Sequence, residues 1–190
     1  SRNSAIAPMI FLNRYVPLSF TSMDLFEENY KKSYNSNDLV MSNPSFNMQT
    51  QMFYKISEKW TSQTVLSRSS TKTYGYYSYL WDAGDGDQFG RFISKGNGQT
   101  NTTDIQQNFI GDFKIGGLRN RLIVGVDYFN SNIQSGSSGW VANGVVSLKN
   151  QTDTGDLTEA GVDDLLKGTF TGNSLGETQV ISAYASDVLN

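Results

Sequence analysis

Alternation of apolar and polar residues is the main feature of the middle of the chain. Between Asn47 and Ile56 the even positions carry Met48, Met52 and Tyr54, while the odd positions are mostly Asn, Gln and Lys. A period of two is typical of a β-strand that lies between an apolar and a polar environment. The pattern therefore predicts a strand over 47–56.

Four more segments show this kind of pattern, and the connections between the segments differ in length. Residues 57–59 and 116–119 are predicted to be tight turns, whereas long polar connections follow Trp81 and Asn132. Short turns at one end of a sheet and long loops at the other are typical of outer-membrane barrels, whereas strands in globular proteins usually have about 5–6 residues. The further predicted strands are 60–81, 100–115, 121–132 and 178–187.

We therefore predict an all-β fold, an antiparallel up-and-down meander of long strands that forms part of a transmembrane-type β-barrel with long loops. One or two short helices are expected within the loops. Asp156 and Glu159 have the spacing of a capping box ahead of Val162 and Leu166, which is typical of a helix N-terminus. Asp24–Glu27 begins a weaker pattern of the same kind.

The composition supports a β-sheet that has one face in contact with water. Only 37% of the 190 residues are apolar, but 13% are aromatic and 65 are Ser, Thr, Asn or Gln. Disordered chains are poor in aromatic residues, so the low hydropathy does not indicate disorder. The chain has no Cys and no His, which argues against zinc sites, disulfides and Ser–His or Cys–His catalytic pairs. We expect no enzyme activity, no metal site and no resident cofactor.

The charged residues do not indicate nucleic-acid binding or acid–base chemistry. The net charge is −3 and the basic residues are scattered, whereas nucleic-acid binders concentrate them on one face. Residues 82–87 contain three acids, but their spacing departs from that of a calcium loop and predicts a plain loop tip. Asp163 and Asp164 are neighbours on the predicted loop helix, so their side chains would point apart.

Several segments together resemble the barrel of TonB-dependent siderophore receptors. The resemblance depends on the order of four segments along the chain, 47–60, 104–115, 121–129 and 178–188, rather than on one specific motif. It implies part of a receptor in the outer membrane of a Gram-negative bacterium, with extracellular loops. Such a receptor binds and imports a ferric siderophore, which would be the transported ligand and not a cofactor. Outer-membrane lipid would be the second partner.

Whole receptors of this family have a plug domain inside a barrel of about 22 strands, whereas we predict five strands here. The resemblance therefore implies part of a barrel without a plug domain. TonB would be contacted only through segments that this chain lacks. The implied organisation is a loop region over 1–45, two β-hairpins over 46–133, a long extracellular loop over 134–177 and the start of the next strand over 178–190.

An open arc of barrel wall has two unpaired edges and an exposed apolar face. In this chain the predicted apolar face carries Met48, Met52, Ile115 and Leu122. We expect the chain alone to rearrange its edges, to bury this face against itself or to self-associate.

A group of rings at the loop end of the second predicted strand supplies candidate ligand-binding residues. The odd-numbered rings share one face of the strand, and Tyr74 and Tyr76 share the other. Such rings suit the headgroup level of a membrane, or they line the mouth of a receptor and stack on the siderophore. The predicted ligand-binding residues are Tyr77, Tyr79 and Trp81, together with Trp140 in the long loop.

Two other functions fit the same pattern. A soluble all-β module would bind carbohydrate through exposed Tyr and Trp side chains, and a porin or adhesin barrel without TonB would share the strand pattern. Glycan binding by the isolated chain would favour the first, and detergent dependence would favour a barrel. Only the family resemblance separates a siderophore receptor from a porin.

Overall fold

The structure is a computed structural model that describes residues 3–5, 7–11, 22–82 and 87–189. Strands make up most of these residues, so the predicted all-β class is confirmed. The elements are β1 (Asn3–Ala5), β2 (Met9–Phe11), α1 (Asp24–Asn29), β3 (Val40–Ser42), β4 (Ser45–Lys55), β5 (Trp60–Asp82), β6 (Gln88–Ile115), β7 (Leu118–Ser138), β8 (Val141–Ser147), β9 (Thr152–Asp153), α2 (Glu159–Leu165) and β10 (Phe170–Leu189).

The described strands form one mixed sheet, which does not close into a barrel within these residues. Its main path runs β1-β3-β5-β6-β7-β10, with β4 antiparallel to β5. The meander is not purely antiparallel as predicted, because β2 pairs with β5 in parallel. Neither of the two described helices is long and apolar enough to cross a membrane.

The chain divides into two compact units. The long strands β5, β6, β7 and β10 contribute residues to both of them. The first unit comprises Ser1–Pro44, Lys72–Gly98 and Ser135–Ser174, and the second comprises Ser45–Thr71, Gln99–Gln134 and Leu175–Asn190.

In the second unit the predicted hairpin of β4 and β5 is confirmed, with Ser45 opposite Thr71 and Lys55 opposite Thr61. Hydrogen bonds reveal which residues share a face. Gln107 contacts Ser62 and Thr64, whereas the next residue, Asn108, contacts Gln63 and Tyr184. Since successive side chains of a strand point to opposite faces, these contacts define two faces. The Gln107 face is the apolar one, with Met48, Met52, Tyr54, Trp60, Leu66, Ile105, Phe109, Phe113 and Ile115.

This apolar face of the second unit is exposed. Met48, Met52 and Ile115 keep 46%, 62% and 57% of their accessible surface. Of the three outcomes expected for this face, burial against the chain itself is therefore wrong, because the sheet is a single layer here and no described element covers it. Self-association stays a prediction. Val65 is the only buried apolar residue among the described residues of this unit.

The first unit has a hydrophobic core on one face of its sheet. Leu39, Tyr76 and Ile93 pack with Val162 and Leu166 from α2 and the residue after it. A second cluster comprises Leu80, Phe89, Val146 and Leu148, and the α1 residues Leu25 and Phe26 pack against it. Both helices thus cover the sheet with their apolar sides.

Both helices lie where the sequence predicted them, but the start of α2 differs. Thr158 is its N-cap, and the Thr158 side chain accepts a hydrogen bond from the backbone N–H of Gly161. Asp156, the predicted cap, instead accepts hydrogen bonds from the backbone N–H and hydroxyl of Thr158. The acid therefore orders the turn before the helix.

Regular structure extends further than predicted in two regions. Strand β6 begins at Gln88, well before the predicted start at 100, and β8, β9 and α2 lie within the predicted loop 134–177. In residues 1–45, β1, β2, α1 and β3 are present among the described residues. The start of β6 was missed because Gly90, Gly96 and Gly98 interrupt its alternation.

Arg91 holds distant segments of the first unit together. Its side chain is fully buried and forms an ion pair with Asp153, with two N–O distances of 2.5 Å. It also donates hydrogen bonds to the backbone carbonyls of Tyr34 and Asn143. A buried charge is stable only when it is paired and hydrogen-bonded. The Arg91 guanidinium meets both conditions.

Replacing Arg91 with Met should lower the free energy of unfolding by about 3–5 kcal/mol, the usual cost of removing one partner from a buried ion pair. Lys167→Met is the matched control, since Lys167 also pairs with an aspartate but its side chain is 77% exposed. We expect that control to change stability little. Urea unfolding measures both variants, and an equal loss in the two would contradict the structural role of Arg91.

Candidate functional site

Five aromatic side chains of the first unit form one group, called here the aromatic cluster: Phe11, Tyr79, Trp81, Phe92 and Trp140. Tyr79 lies at its centre, with its ring centroid 5.1 Å from that of Phe92 in a stacked arrangement and 4.8 Å from that of Trp140. Phe11 meets Tyr79 edge-on at 5.4 Å and lies 6.5 Å from Trp81. The structure thus brings together three of the four predicted ligand-binding residues.

Strand pairing explains how these rings converge. Alternation along β5 places Tyr79 and Trp81 on one face of the sheet, while Leu80 between them is fully buried on the other. The parallel pairing of β2 with β5 sets Phe11 opposite Trp81. The pairing of β6 with β8 sets Phe92 opposite Ala142, two residues after Trp140.

The aromatic cluster is partly open to solvent. Phe11, Trp81 and Trp140 are 40%, 37% and 51% exposed. Offset-stacked and edge-to-face rings stabilise each other by about 0.5–1.5 kcal/mol per pair, so the cluster is held in place while part of its surface remains free. Such a surface suits a ligand with planar or apolar groups.

Tyr77, the fourth predicted residue, lies apart from the aromatic cluster. A Cβ atom at Gly96 would lie 3.0 Å from Cε2 of Tyr77, so the tyrosine ring lies close against β6 at this glycine. Tyr77 lines a different cleft of 540 Å³, together with small polar residues. We call it the Tyr77 cleft.

The covered face of the same sheet carries a polar cluster of Tyr76, Lys95 and Asp163. The Lys95 ammonium lies 2.8 and 2.9 Å from the two Asp163 oxygens and 2.9 Å from the Tyr76 hydroxyl. The Tyr76 hydroxyl donates to Asp163 at 2.7 Å. These contacts attach α2 to the sheet beside a cleft of 420 Å³ that Tyr74, Lys95 and Leu166 help to line.

The electrostatics of this polar cluster favour the Lys95–Asp163 ion pair. Burial raises the pKa of Tyr76 from 10.0 to about 12, which keeps the hydroxyl protonated. Burial opposes the charged forms of Lys95 and Asp163, but their mutual hydrogen bonds and those of Tyr76 outweigh it. The pKa of Lys95 is therefore raised and that of Asp163 lowered.

Two rings of the aromatic cluster were not predicted from the sequence. Phe92 lies in the part of β6 that the prediction omitted, where Gly90 and the adjacent Phe92 and Ile93 break the alternation of apolar and polar residues. Phe11 lies in a strand of three residues, which is too short to show periodicity. The acidic stretch 82–87 lies mostly outside the described residues, and no group of three or more acids placed to hold a metal occurs among those described.

The fold of the chain has a counterpart among solved structures. No protein-family model and no curated protein matches the sequence. Among solved structures, the chain is similar to the ferric-catecholate import receptor Fiu of E. coli K12 in its closed form, with a TM-score of 0.63 and 15% sequence identity. The match covers 83% of this chain and 23% of the Fiu chain, so this chain spans less than a quarter of that receptor. At this identity the likeness shows the fold alone.

The raised pKa of Tyr76 predicts a specific loss of stability at high pH. The pKa of tyrosine in the unfolded chain is 10.0, whereas the pKa of folded Tyr76 is about 12. Its contribution to stability is therefore complete below pH 10 and is lost as the pH rises through the folded pKa. Tyr76→Phe should show a shallower decline than the wild type over this window in urea unfolding. Tyr74→Phe, an exposed neighbour, should decline like the wild type. A Tyr76→Phe curve parallel to that of the wild type would contradict this assignment.

Proposed function

We propose that this chain forms part of the wall and extracellular loops of an outer-membrane receptor that imports a ferric siderophore. The observation that carries the proposal is the similarity of its fold to the import receptor Fiu. The long strands are consistent with it, since β5, β6 and β7 have 23, 28 and 21 residues. A strand needs only about 9–11 residues to cross a bilayer, so these strands are long enough to extend beyond a membrane.

The second unit supports the membrane part of this proposal. Its apolar face carries exposed Met, Ile, Phe and Tyr side chains, which lipid would cover. Its other face carries the hydrogen-bonded Gln63, Asn108 and Tyr184 and the ion pair of Asp112 with Arg119. In a barrel wall that polar face would line the lumen.

The first unit supports the ligand part. Fiu is described as a ferric-catecholate receptor, and a catecholate ring is planar and aromatic. In this chain the half-exposed rings of Trp81 and Trp140 offer a surface on which such a ring would stack. On this proposal residues 1–45 and 134–177 belong to the extracellular side, and TonB contacts involve segments other than this chain.

Removal of one ring from the aromatic cluster should weaken siderophore binding. In the complete receptor, Trp140→Ala should raise the Kd for a ferric catecholate about two- to tenfold, because one stacking contact contributes about 0.5–1.5 kcal/mol. Tyr74→Ala is the control, since Tyr74 is exposed on the opposite face of β5. Calorimetry of the receptor in detergent and uptake of radiolabelled iron by cells measure the effect. Unchanged affinity in Trp140→Ala and Trp81→Ala would assign these rings to the membrane interface instead.

The lipid assignment predicts opposite outcomes for two adjacent residues of β4. Met52 lies on the apolar face and Gln51 on the polar face, and both are exposed. Met52→Arg should destabilise the receptor in lipid vesicles by up to about 2–4 kcal/mol, depending on its depth in the bilayer. Gln51→Arg should change stability little. Urea unfolding in vesicles measures both, and equal effects would argue against a lipid-facing sheet.

A further inference from the structure

Basic residues gather at one end of the second unit, where its two tight turns lie. The backbone N–H of Asp112 donates a hydrogen bond to the carbonyl of Lys59, so the turn between β4 and β5 lies beside the end of β6. The other turn joins β6 to β7 at this same end. Five of the six Lys and Arg residues of the unit occur here, although they are far apart in the sequence: Lys55, Lys59, Lys114, Arg119 and Arg121.

Four of these basic residues share the polar face of the sheet. Lys55 lies at an odd position of β4, on the polar side of that strand. Lys114 is two residues after Asp112 on β6, and residues two apart on a strand share a face. Arg119 and Arg121 of β7 each form an ion pair with Asp112. We call Lys55, Lys114, Arg119 and Arg121 the basic patch.

One acid, Asp112, lies within the basic patch and is already paired. Nε of Arg119 donates to Oδ1 of Asp112 at 2.8 Å, and Nη2 of Arg119 donates to Oδ2. Oδ2 also lies 3.4 Å from Nε of Arg121, whose side chain is 56% exposed. The hydrogen bonds from Arg119 lower the pKa of Asp112, so its carboxylate stays ionised and paired.

The basic patch keeps an excess of positive charge after this pairing. The ammonium groups of Lys55 and Lys114 have no hydrogen-bond or ion-pair partner in the described part of the chain. Two more acids lie near this end of the sheet. Glu58 is in the first turn, at the margin of the patch, and Asp187 accepts a hydrogen bond from Asn120, which points to the opposite face. Four positive charges therefore surround one negative charge.

We propose that the basic patch binds an acidic segment of polypeptide in an extended conformation. Adjacent strands lie about 4.8 Å apart, so the three spacings from β4 to β7 total about 14 Å. An extended chain advances about 3.3–3.6 Å per residue, so about four or five residues would cross the patch. Arg and Lys side chains are the usual partners of Asp and Glu carboxylates. This inference depends on the second unit alone and holds whether or not the chain imports a siderophore.

Other anionic partners fit the basic patch less well. The acyl chains of an anionic lipid would need an apolar surface, and that surface lies on the opposite face of the sheet, with Met52 and Ile115. A nucleic acid extends beyond the patch and would meet the field of a chain whose net charge is −3. A short acidic segment interacts mainly with the local charges, because salt screens more distant ones.

Fluorescence anisotropy tests the proposal on the whole 190-residue chain in a nonionic detergent at low salt. The probe is a capped pentaglutamate peptide with an uncharged dye, and the same peptide made of glutamine is its control. We expect only pentaglutamate to bind. Arg121→Gln and Lys114→Gln should each raise its Kd about two- to fivefold, the effect of losing one exposed ion pair. Arg68→Gln should leave the Kd unchanged, since Arg68 is an exposed arginine of the same unit that lies opposite Met48 on the apolar face.

A variant that strengthens binding separates the proposal from a folding defect. Asp112→Asn removes the acid within the basic patch and should lower the Kd for pentaglutamate about two- to fivefold, a gain that misfolding would not produce. Tighter binding of a single-stranded hexanucleotide of the same charge would indicate a nucleic-acid site, and displacement of the peptide by equimolar inorganic phosphate would indicate a site for a small anion. Either result would overturn the proposal, as would equal binding of the two peptides or an unchanged Kd in the three patch variants.

Discussion

The buried guanidinium of Arg91 is the interaction on which the first unit depends. It bonds to Asp153 in β9, to the carbonyl of Asn143 in the adjacent strand β8, and to the carbonyl of Tyr34, which is more than 100 residues earlier in the sequence. A buried cation without its partners is unfavourable, so these segments must all be in place together. The next residue along β6, Phe92, points to the opposite face and stacks on Tyr79. The same strand thus secures the covered core and positions the exposed rings.

The two units differ in how much of their apolar surface they bury. The first unit covers one face of its sheet with α1 and α2, so that Leu80 and Ile93 are completely buried. The second unit leaves its apolar face uncovered, and its described residues bury little besides Val65. The backbone ladder and cross-strand side-chain contacts hold such a single layer together in the structure. Its apolar face is consistent with an environment that is itself apolar.

The sequence predicted the regular parts of this fold and missed those that depend on tertiary contacts. The β4–β5 hairpin was predictable because period-two alternation marks β4 and a short turn separates it from the next strand. The strand β2 was not, since three residues carry no periodicity and its pairing with β5 is long-range. The same limit applies to the site. Tyr77 and Tyr79 share a strand face, but only the structure reveals that one ring packs on Gly96 and the other on Phe92.

The positions of the tryptophans allow the candidate site to be followed by intrinsic tryptophan fluorescence. The chain has three of them, and two, Trp81 and Trp140, belong to the aromatic cluster. The third, Trp60, lies in the second unit against Phe113, with ring centroids 5.9 Å apart. With Trp60 replaced by Phe, the indole fluorescence of the chain would come from the aromatic cluster alone. The molecule therefore carries a reporter at its candidate site that needs no added dye.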